Sequence, residues 1–324
     1  KYLKILMAVT LVFNSCKPEL RKPNILFIIS DDLTATAVSS YENKLCQTPN
    51  IDRLAEEGIR YTRAYCNYPV CGPSRASILN GYYPHATKTF GYVSGRKNIG
   101  PDRQTLPQLF KDNGYYTARV SKIFHMGVPG DIVKGTDGTD DEASWTERFN
   151  SQGPEWMTEG KAELVQGNPD GTIERKSGNV MTIEKASGQA LEHSDGKTAD
   201  KACELISLHK DKPFFIAVGF ERPHVPFVAP AKYFDSYPWQ GITIPEKLRG
   251  DLEDIPPRGI IYVTSVNGQM SPEQEKKAVA AYYASVAFMD AQVGKVLQKL
   301  KDEGLEKNTI VIFTSDHGFH LGEH

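Results

Sequence analysis

The sequence predicts an α/β fold with a large, mostly parallel central sheet flanked by helices. Three observations carry that reading. The runs N-I-L-F-I-I-S at 24–30, P-F-F-I-A-V-G-F at 213–220 and T-I-V-I-F-T-S at 309–315 are continuously apolar, the pattern of strands buried on both faces. Segments of helical periodicity alternate with them, as a layered α/β chain requires. Acids, a lysine and histidines follow the ends of the strand-like runs, where sites gather in open α/β sheets. With 324 residues, 40% hydrophobic content and a net charge of -2, the chain can bury a sizeable core and offers no general attraction to nucleic acid. A pocket for an anionic substrate would have to be basic locally.

Taken in order, residues 24–30 form the first strand. T-P-N-I-D-R-L-A-E-E-G at 48–58 reads as a helix, with Thr48 as its cap, Pro49 in its first turn and Gly58 at its end. Pro73 to Asn80 reads as a second helix closed by Gly81. A short helix at 105–113 precedes a strand at Tyr116–Ser121. Residues 127–192 are rich in Gly, Asp, Thr and Ser with little periodicity, which predicts a surface insertion over the sheet edge. A helix near 196–209 leads into the strand at 213–220. Residues 223–270 carry many prolines and few periodic signals. A long helix is expected over 271–303, and 309–315 forms a last buried strand. Cys46, Cys66 and Cys203 lack any metal-type spacing and are expected as buried thiols with at most one disulfide.

The N-terminal residues read as an export address. Lys1 and Lys4 precede an apolar stretch, Ile5 to Phe13, too short to span a bilayer, and Asn14-Ser15-Cys16 follows. The expectation is a signal peptide over 1–16 of lipoprotein type, with an anchor on Cys16. That places the chain in the periplasm or at the cell surface, touching membrane only through that lipid.

The chemistry concentrates after the strands. Asp31 and Asp32 are adjacent carboxylates whose side chains would diverge in a strand, so their convergence requires the backbone to leave strand geometry. Two anions held together need a cation or a proton, and a hard divalent ion with oxygen ligands is the natural partner. Cys71 lies at a helix start, where free N–H groups favour an anion. Lys122 and His125 are three apart, a spacing that would put both on one side of a helical turn. His224 is braced between Pro223 and Pro226, and Asp316-His317 closes the last apolar run.

The string V-C-G-P-S-R at 70–75 carries the C-x-P-S-R core, and it stands between Asp31-Asp32 and Asp316-His317 in the order found in type I sulfatases. The chain resembles that family from about residue 23 onward. S-K-I-F-H at 121–125, R-P-H-V-P-F at 222–227 and G-F-H-L-G-E-H at 318–324 make it similar to the iduronate-2-sulfatase branch. The resemblance implies an alkaline-phosphatase-like fold, with a catalytic domain over 22–324 and a smaller C-terminal subdomain outside it. It also implies a further sulfate-binding lysine a few residues beyond His324.

The resemblance further implies a mechanism. Cys71 becomes formylglycine (3-oxoalanine) through a formylglycine-generating enzyme that reads Pro73 and Arg75. One hydroxyl of its hydrate attacks sulfur, Lys122 binds the sulfate, His224 protonates the leaving alcohol, and His125 takes the proton that restores the aldehyde. Arg75 steadies the hydrate and the carboxylates. Asp31, Asp32, Asp316, His317 and an oxygen of modified Cys71 hold Ca2+, with Mg2+ as the alternative. The implied substrate is a sulfated saccharide, foremost a 2-O-sulfated uronic acid of a glycosaminoglycan. Two other readings stand beside this one: a phosphate or phosphonate monoester hydrolase on the same fold, and a glycan-binding surface protein with unmodified Cys71.

Overall fold

Strand β1 (Asn24–Asp31) is buried along its whole length and forms the axis of the molecule. The computed structural model describes residues 22–164, 181–247, 249–251, 253–256 and 270–323. The expected signal peptide with Cys16, part of the insertion and part of the proline-rich stretch lie outside the described residues.

The strands following β1 are β2 (Tyr116–Ser121), β3 (Glu147–Phe149), β4 (Gly160–Leu164), β5 (Thr182–Ala186), β6 (Phe214–Pro223), β7 (Phe227–Pro230) and β8 (Thr309–Ser315). Five of them form the central sheet in the order β3-β2-β6-β1-β8, every described pair parallel. The carboxyl ends of β2, β6, β1 and β8 therefore lie side by side. The three apolar runs of the sequence are all in this sheet, and their lack of alternation has the expected cause in β1 and β6, which are covered on both faces.

Successive side chains of β1 divide between two cores. Leu26 and Ile28 pack with Val120, Ile216 and Val218 against α7 (Ser194–His209) and α8 (Pro272–Asp302). Ile25, Phe27 and Ile29 pack with Phe215 and Ala217 on the opposite face, against Leu79 of α2 (Cys71–Asn80) and Phe110 of α5 (Leu106–Asp112). One further helix, α1 (Pro49–Glu57), packs on α8, and three single-turn helices, α3 (Pro84–Thr87), α4 (Arg96–Ile99) and α6 (Gly130–Lys134), complete the set described.

Helix α8 starts as the sequence directs: the Ser271 hydroxyl accepts the Gln274 N–H at 3.3 Å, Gln274 Oε1 accepts the Ser271 N–H at 2.8 Å, and Pro272 opens the first turn. The cap of α1 is different. Thr48 makes no capping bond; the buried carboxylate of Asp290 on α8 accepts the N–H groups of Asn50 and Ile51 instead, at 2.9–3.2 Å. A tertiary contact has replaced a local one.

Four other expectations need correction. The 127–192 segment is no mere surface cover: it supplies β3 to the central sheet and β4 and β5 to a second sheet ordered β4-β5-β7, and it buries Trp145, Ser151 and Glu155. Strand β7 escaped the sequence reading because Pro226 and Pro230 flank it and read as breakers. Strand β8 is the edge of the described sheet, with a neighbour on one side only, so Ile310 and Ile312 are exposed. Cys46 is buried, but Cys203 is half-buried and Cys66 exposed, and all three are free thiols.

Candidate active site

The site is assembled from the carboxyl ends of four adjacent strands. At the end of β1 the register with β6 shifts between Ser30 and Asp31, and Asp32 takes a left-handed conformation with φ of 64°. This departure from strand geometry turns both carboxylates toward one region. The Asp32 N–H donates to Asp316 Oδ1 at 3.0 Å, which joins the ends of β1 and β8.

Helix α2 begins at Cys71, so Pro73 sits in its first turn and the thiol faces the strand ends. Cys71 Sγ lies 3.1 Å from His317 Nε2 and 3.8 Å from Asp32 Oδ1. The residue between Cys71 and Pro73 has to be small: a Cβ on Gly72 would stand 2.4 Å from the Gly91 carbonyl oxygen. One turn along, fully buried Arg75 donates from Nε to Asp316 Oδ2 and from Nη2 to Asp31 Oδ1, both at 2.9 Å. Its remaining nitrogen serves the carbonyls of Lys122 and Ile123 at 2.6 and 3.2 Å. Each of the three guanidinium nitrogens thus has an acceptor.

Beyond β2 the chain bends sharply rather than forming the helical turn expected for K-x-x-H. Ser121 has φ of 58°, and the Lys122 backbone crosses so close to β6 that a Cβ on Gly219 would meet its carbonyl oxygen at 2.0 Å. The Lys122 ammonium reaches Asp31 Oδ2. Burial alone would push the Asp31 carboxyl up, but Lys122 and Arg75 outweigh it and hold it well below the usual carboxylate range.

At Asp32 the positive charges of His317 and Lys122 do not suffice. Burial, with the charge of Asp31 added, pushes its carboxyl up to about 7. Asp32, Cys71, Asp316 and His317 each offer one ligand atom, and these atoms all lie within 4.8 Å of one another. Asp31 belongs to the neighbouring ion-pair cluster instead, with both oxygens held by Arg75 and Lys122. The His317 ring supports a metal-ligand reading: Nδ1 lies 2.8 Å from the Gly318 carbonyl and must donate to it, which leaves Nε2 facing Asp32 Oδ1 at 3.1 Å. A ring nitrogen tied to a backbone carbonyl, with its partner aimed at acceptors, is how ligating histidines are oriented. Burial works against a charged His317, but Asp316 and Asp32 prevail and raise it above its ordinary range. A shared cation would relieve these two carboxylates together, so the donor set fits a divalent metal.

A family model described as Sulfatase matches residues 23–324. The chain belongs to the sulfatase family. It is 35% identical to a sulfatase of Formosa agariphila over 94% of its own length and 60% of the relative's, and 32% identical to human iduronate 2-sulfatase over 93% and 56%. The chain thus spans under two thirds of these curated relatives. Among solved structures it superposes on the phosphonate monoester hydrolase of Agrobacterium radiobacter with a TM-score of 0.70 at 22% identity, covering 94% of this chain and 64% of that one. A 2-O GAG sulfatase superposes with a TM-score of 0.61 at 21% identity, covering 94% and 60%. At such identity these two likenesses speak for the alkaline-phosphatase-like fold alone.

Two histidines lie at the border of this group. His224 follows β6, its Nδ1 against the Val225 carbonyl and its Nε2 3.8 Å from Asp32 Oδ2. Burial, opposed by Asp31, brings the ring down to about 4. His125 is buried beside the Tyr92 ring, at 5.7 Å between centroids, and its Nδ1 has no hydrogen-bond partner. Burial and the Lys122 charge lower it to about 3, so it is a neutral imidazole able to accept a proton. All nine residues named from the sequence meet around these strand ends. Three others were missed. Ser74 Oγ donates to the Asp316 carbonyl, Ser315 Oγ accepts the Leu33 N–H at 2.9 Å, and Tyr282 OH donates to the Asp32 carbonyl at 2.6 Å. Ser74 stood in plain view in P-S-R; nothing in the local sequence marks Tyr282, which comes from mid-α8.

Proposed function

We propose that the protein is a sulfuric ester hydrolase that removes sulfate from a sulfated saccharide, with a 2-O-sulfated uronic acid of a glycosaminoglycan as the foremost substrate. The observation that carries this reading is the convergence of Cys71, in its C-G-P-S-R context, with Lys122, His125 and His224 around the Asp32-Asp316-His317 group. The 32% identity to iduronate 2-sulfatase supports the uronic acid. In this reading the modifying enzyme converts Cys71 to formylglycine, and the metal is Ca2+, with Mg2+ as the alternative. Bound at this centre, the two together supply a nucleophilic oxygen and offset charge on the sulfate.

The chain's own residues do the rest. Arg75 neutralises Asp31 and Asp316 and locks α2 against β1 and β8, so position 71 is aimed before substrate arrives. Lys122 presents a buried positive charge next to Cys71, suited to a sulfate oxygen. His224, neutral in the bare site, gains a proton more readily once an anionic ester lies beside it, and can pass it to the departing alcohol. His125, with its unpartnered Nδ1, accepts a proton near position 71. Export with a lipid anchor on Cys16 is proposed on the sequence pattern of residues 1–16; no helix among the described residues is long and apolar enough to cross a membrane.

The likeness in fold to a phosphonate monoester hydrolase keeps one rival in view. The test is turnover by the full-length, converted protein on a panel of sulfated disaccharides beside phosphate and phosphonate monoesters. Release of sulfate from 2-O-sulfated uronates above all other members is expected. Faster turnover of the phosphorus esters would transfer the site to the rival, and preference for another sulfated sugar would revise the substrate.

A further inference from the structure

We infer that Glu155 and Arg222 are positioning residues for His224, which makes the insertion part of the catalytic apparatus. The inference rests on the role given to His224 above. Arg222 lies at the end of β6, almost wholly buried. Its Nη1 donates to the carbonyls of His224, at 2.9 Å, and Pro226, on either side of Val225. Val225 supplies the carbonyl that takes His224 Nδ1–H. One guanidinium nitrogen thus grips both flanks of the residue that fixes the tautomer, and the tautomer leaves Nε2 turned toward Asp32.

Arg222 is itself held from three directions. Its Nη2 donates to Glu155 Oε2, its N–H donates to Asp195 Oδ2 at 3.1 Å, and its carbonyl accepts Ser30 Oγ at 2.8 Å. Glu155 is buried to 3% exposure and also accepts from Ser194 Oγ at 3.2 Å. It sits at φ of 49°, a conformation that costs a non-glycine residue about 1 kcal/mol and that delivers its carboxylate inward. An ion pair kept only for stability has no need to end on the two carbonyls that frame a catalytic loop.

Arg222→Lys keeps a charge, but its single nitrogen cannot serve Glu155 and both carbonyls from separate, rigidly spaced donors as Nη2 and Nη1 do. In the full-length, converted protein this variant should slow sulfate esters of poorly departing alcohols about tenfold more than nitrophenyl sulfate, whose leaving group hardly needs a proton. In a His224→Ala background the same change should add less than about twofold, as expected of residues acting through one group. Long-range 1H–15N spectra should show the His224 ring leaving its single Nδ1–H tautomer in Arg222→Lys and in Glu155→Ala. Unchanged ring signals in both variants would overturn the inference, as would a full Arg222→Lys effect persisting without His224. If His224→Ala slows both ester types equally, the acid role falls, while the ring signals still decide whether Arg222 positions it.

Discussion

The Cys71 thiol lies 3.1 Å from Nε2 of His317, although 246 residues separate them. The contact closes the site: a residue at the start of α2 meets one just past β8, beside the pair of acids at the end of β1. Burial, reinforced by Asp31 and Asp316, pushes the thiol well above its ordinary range, so unmodified Cys71 is a protonated and poor nucleophile. The position makes chemical sense for an oxygen-bearing side chain.

Conversion of that side chain is directly measurable. Co-expression with a formylglycine-generating enzyme should replace the Cys71 thiol by an aldehyde, seen by intact mass and by reaction with a hydrazide. Cys71→Ala should show neither signal and lose sulfate release altogether. An active preparation whose Cys71 remains a thiol would refute the mechanism.

Metal removal should destabilise the fold. Asp32 and Asp316 lie together in a buried site, and an ion present at 100 times its Kd stabilises by about 2.7 kcal/mol. Chelation should lower Tm by several degrees and added Ca2+ should restore it. In His317→Ala the calcium response of Tm should shrink severalfold. An identical response in that variant would remove His317 from the ligand set.

Arg75 should be the least replaceable side chain of the signature helix for stability. Arg75→Met leaves Asp31 with Lys122 alone and deprives Asp316 of its guanidinium, all at full burial. Breaking one side of such a buried pair costs about 3–5 kcal/mol. Urea titration of the unconverted protein checks this without any assay, and a loss below about 1 kcal/mol would mean that the carboxylates relax to other partners.

Glu221 sets a pH dependence away from the metal group. It accepts Ser121 Oγ with one oxygen, and Asp195 and Glu155 crowd it with negative charge. Burial first, then the Asp195 charge, raises it well above the ordinary glutamate range. A carboxyl raised in the folded state adds stability that is full below its unfolded value and is lost as pH rises through its folded value. Glu221→Gln, neutral at every pH, should therefore flatten the fall in Tm on the alkaline side of that range. Parallel curves for the two proteins would show that Glu221 is ionised in the fold.

Local pattern alone located β1, β2, β6, β8 and the helices at 48–58, 73–80 and 271–303 within a few residues, because continuous apolar runs and caps are written in adjacent side chains. It also picked out the nine residues that the fold gathers at the sheet's carboxyl edge, since motifs at strand ends are contiguous strings. What it could not contain is which carboxylate does what. Asp31 and Asp32 are chemically the same in sequence, yet Arg75 and Lys122 claim the first and leave the second to Cys71 and His317. The cap of α1 passed from Thr48 to Asp290, K-x-x-H became a bend beneath Gly219, and Glu155 emerged from an aperiodic insertion to hold Arg222. Each of these depends on groups tens to hundreds of residues apart, and burial decides them by charging for every unpaired ion. Sequence determined the residues present at the sheet's carboxyl edge; only the packed fold decided how their charges were shared.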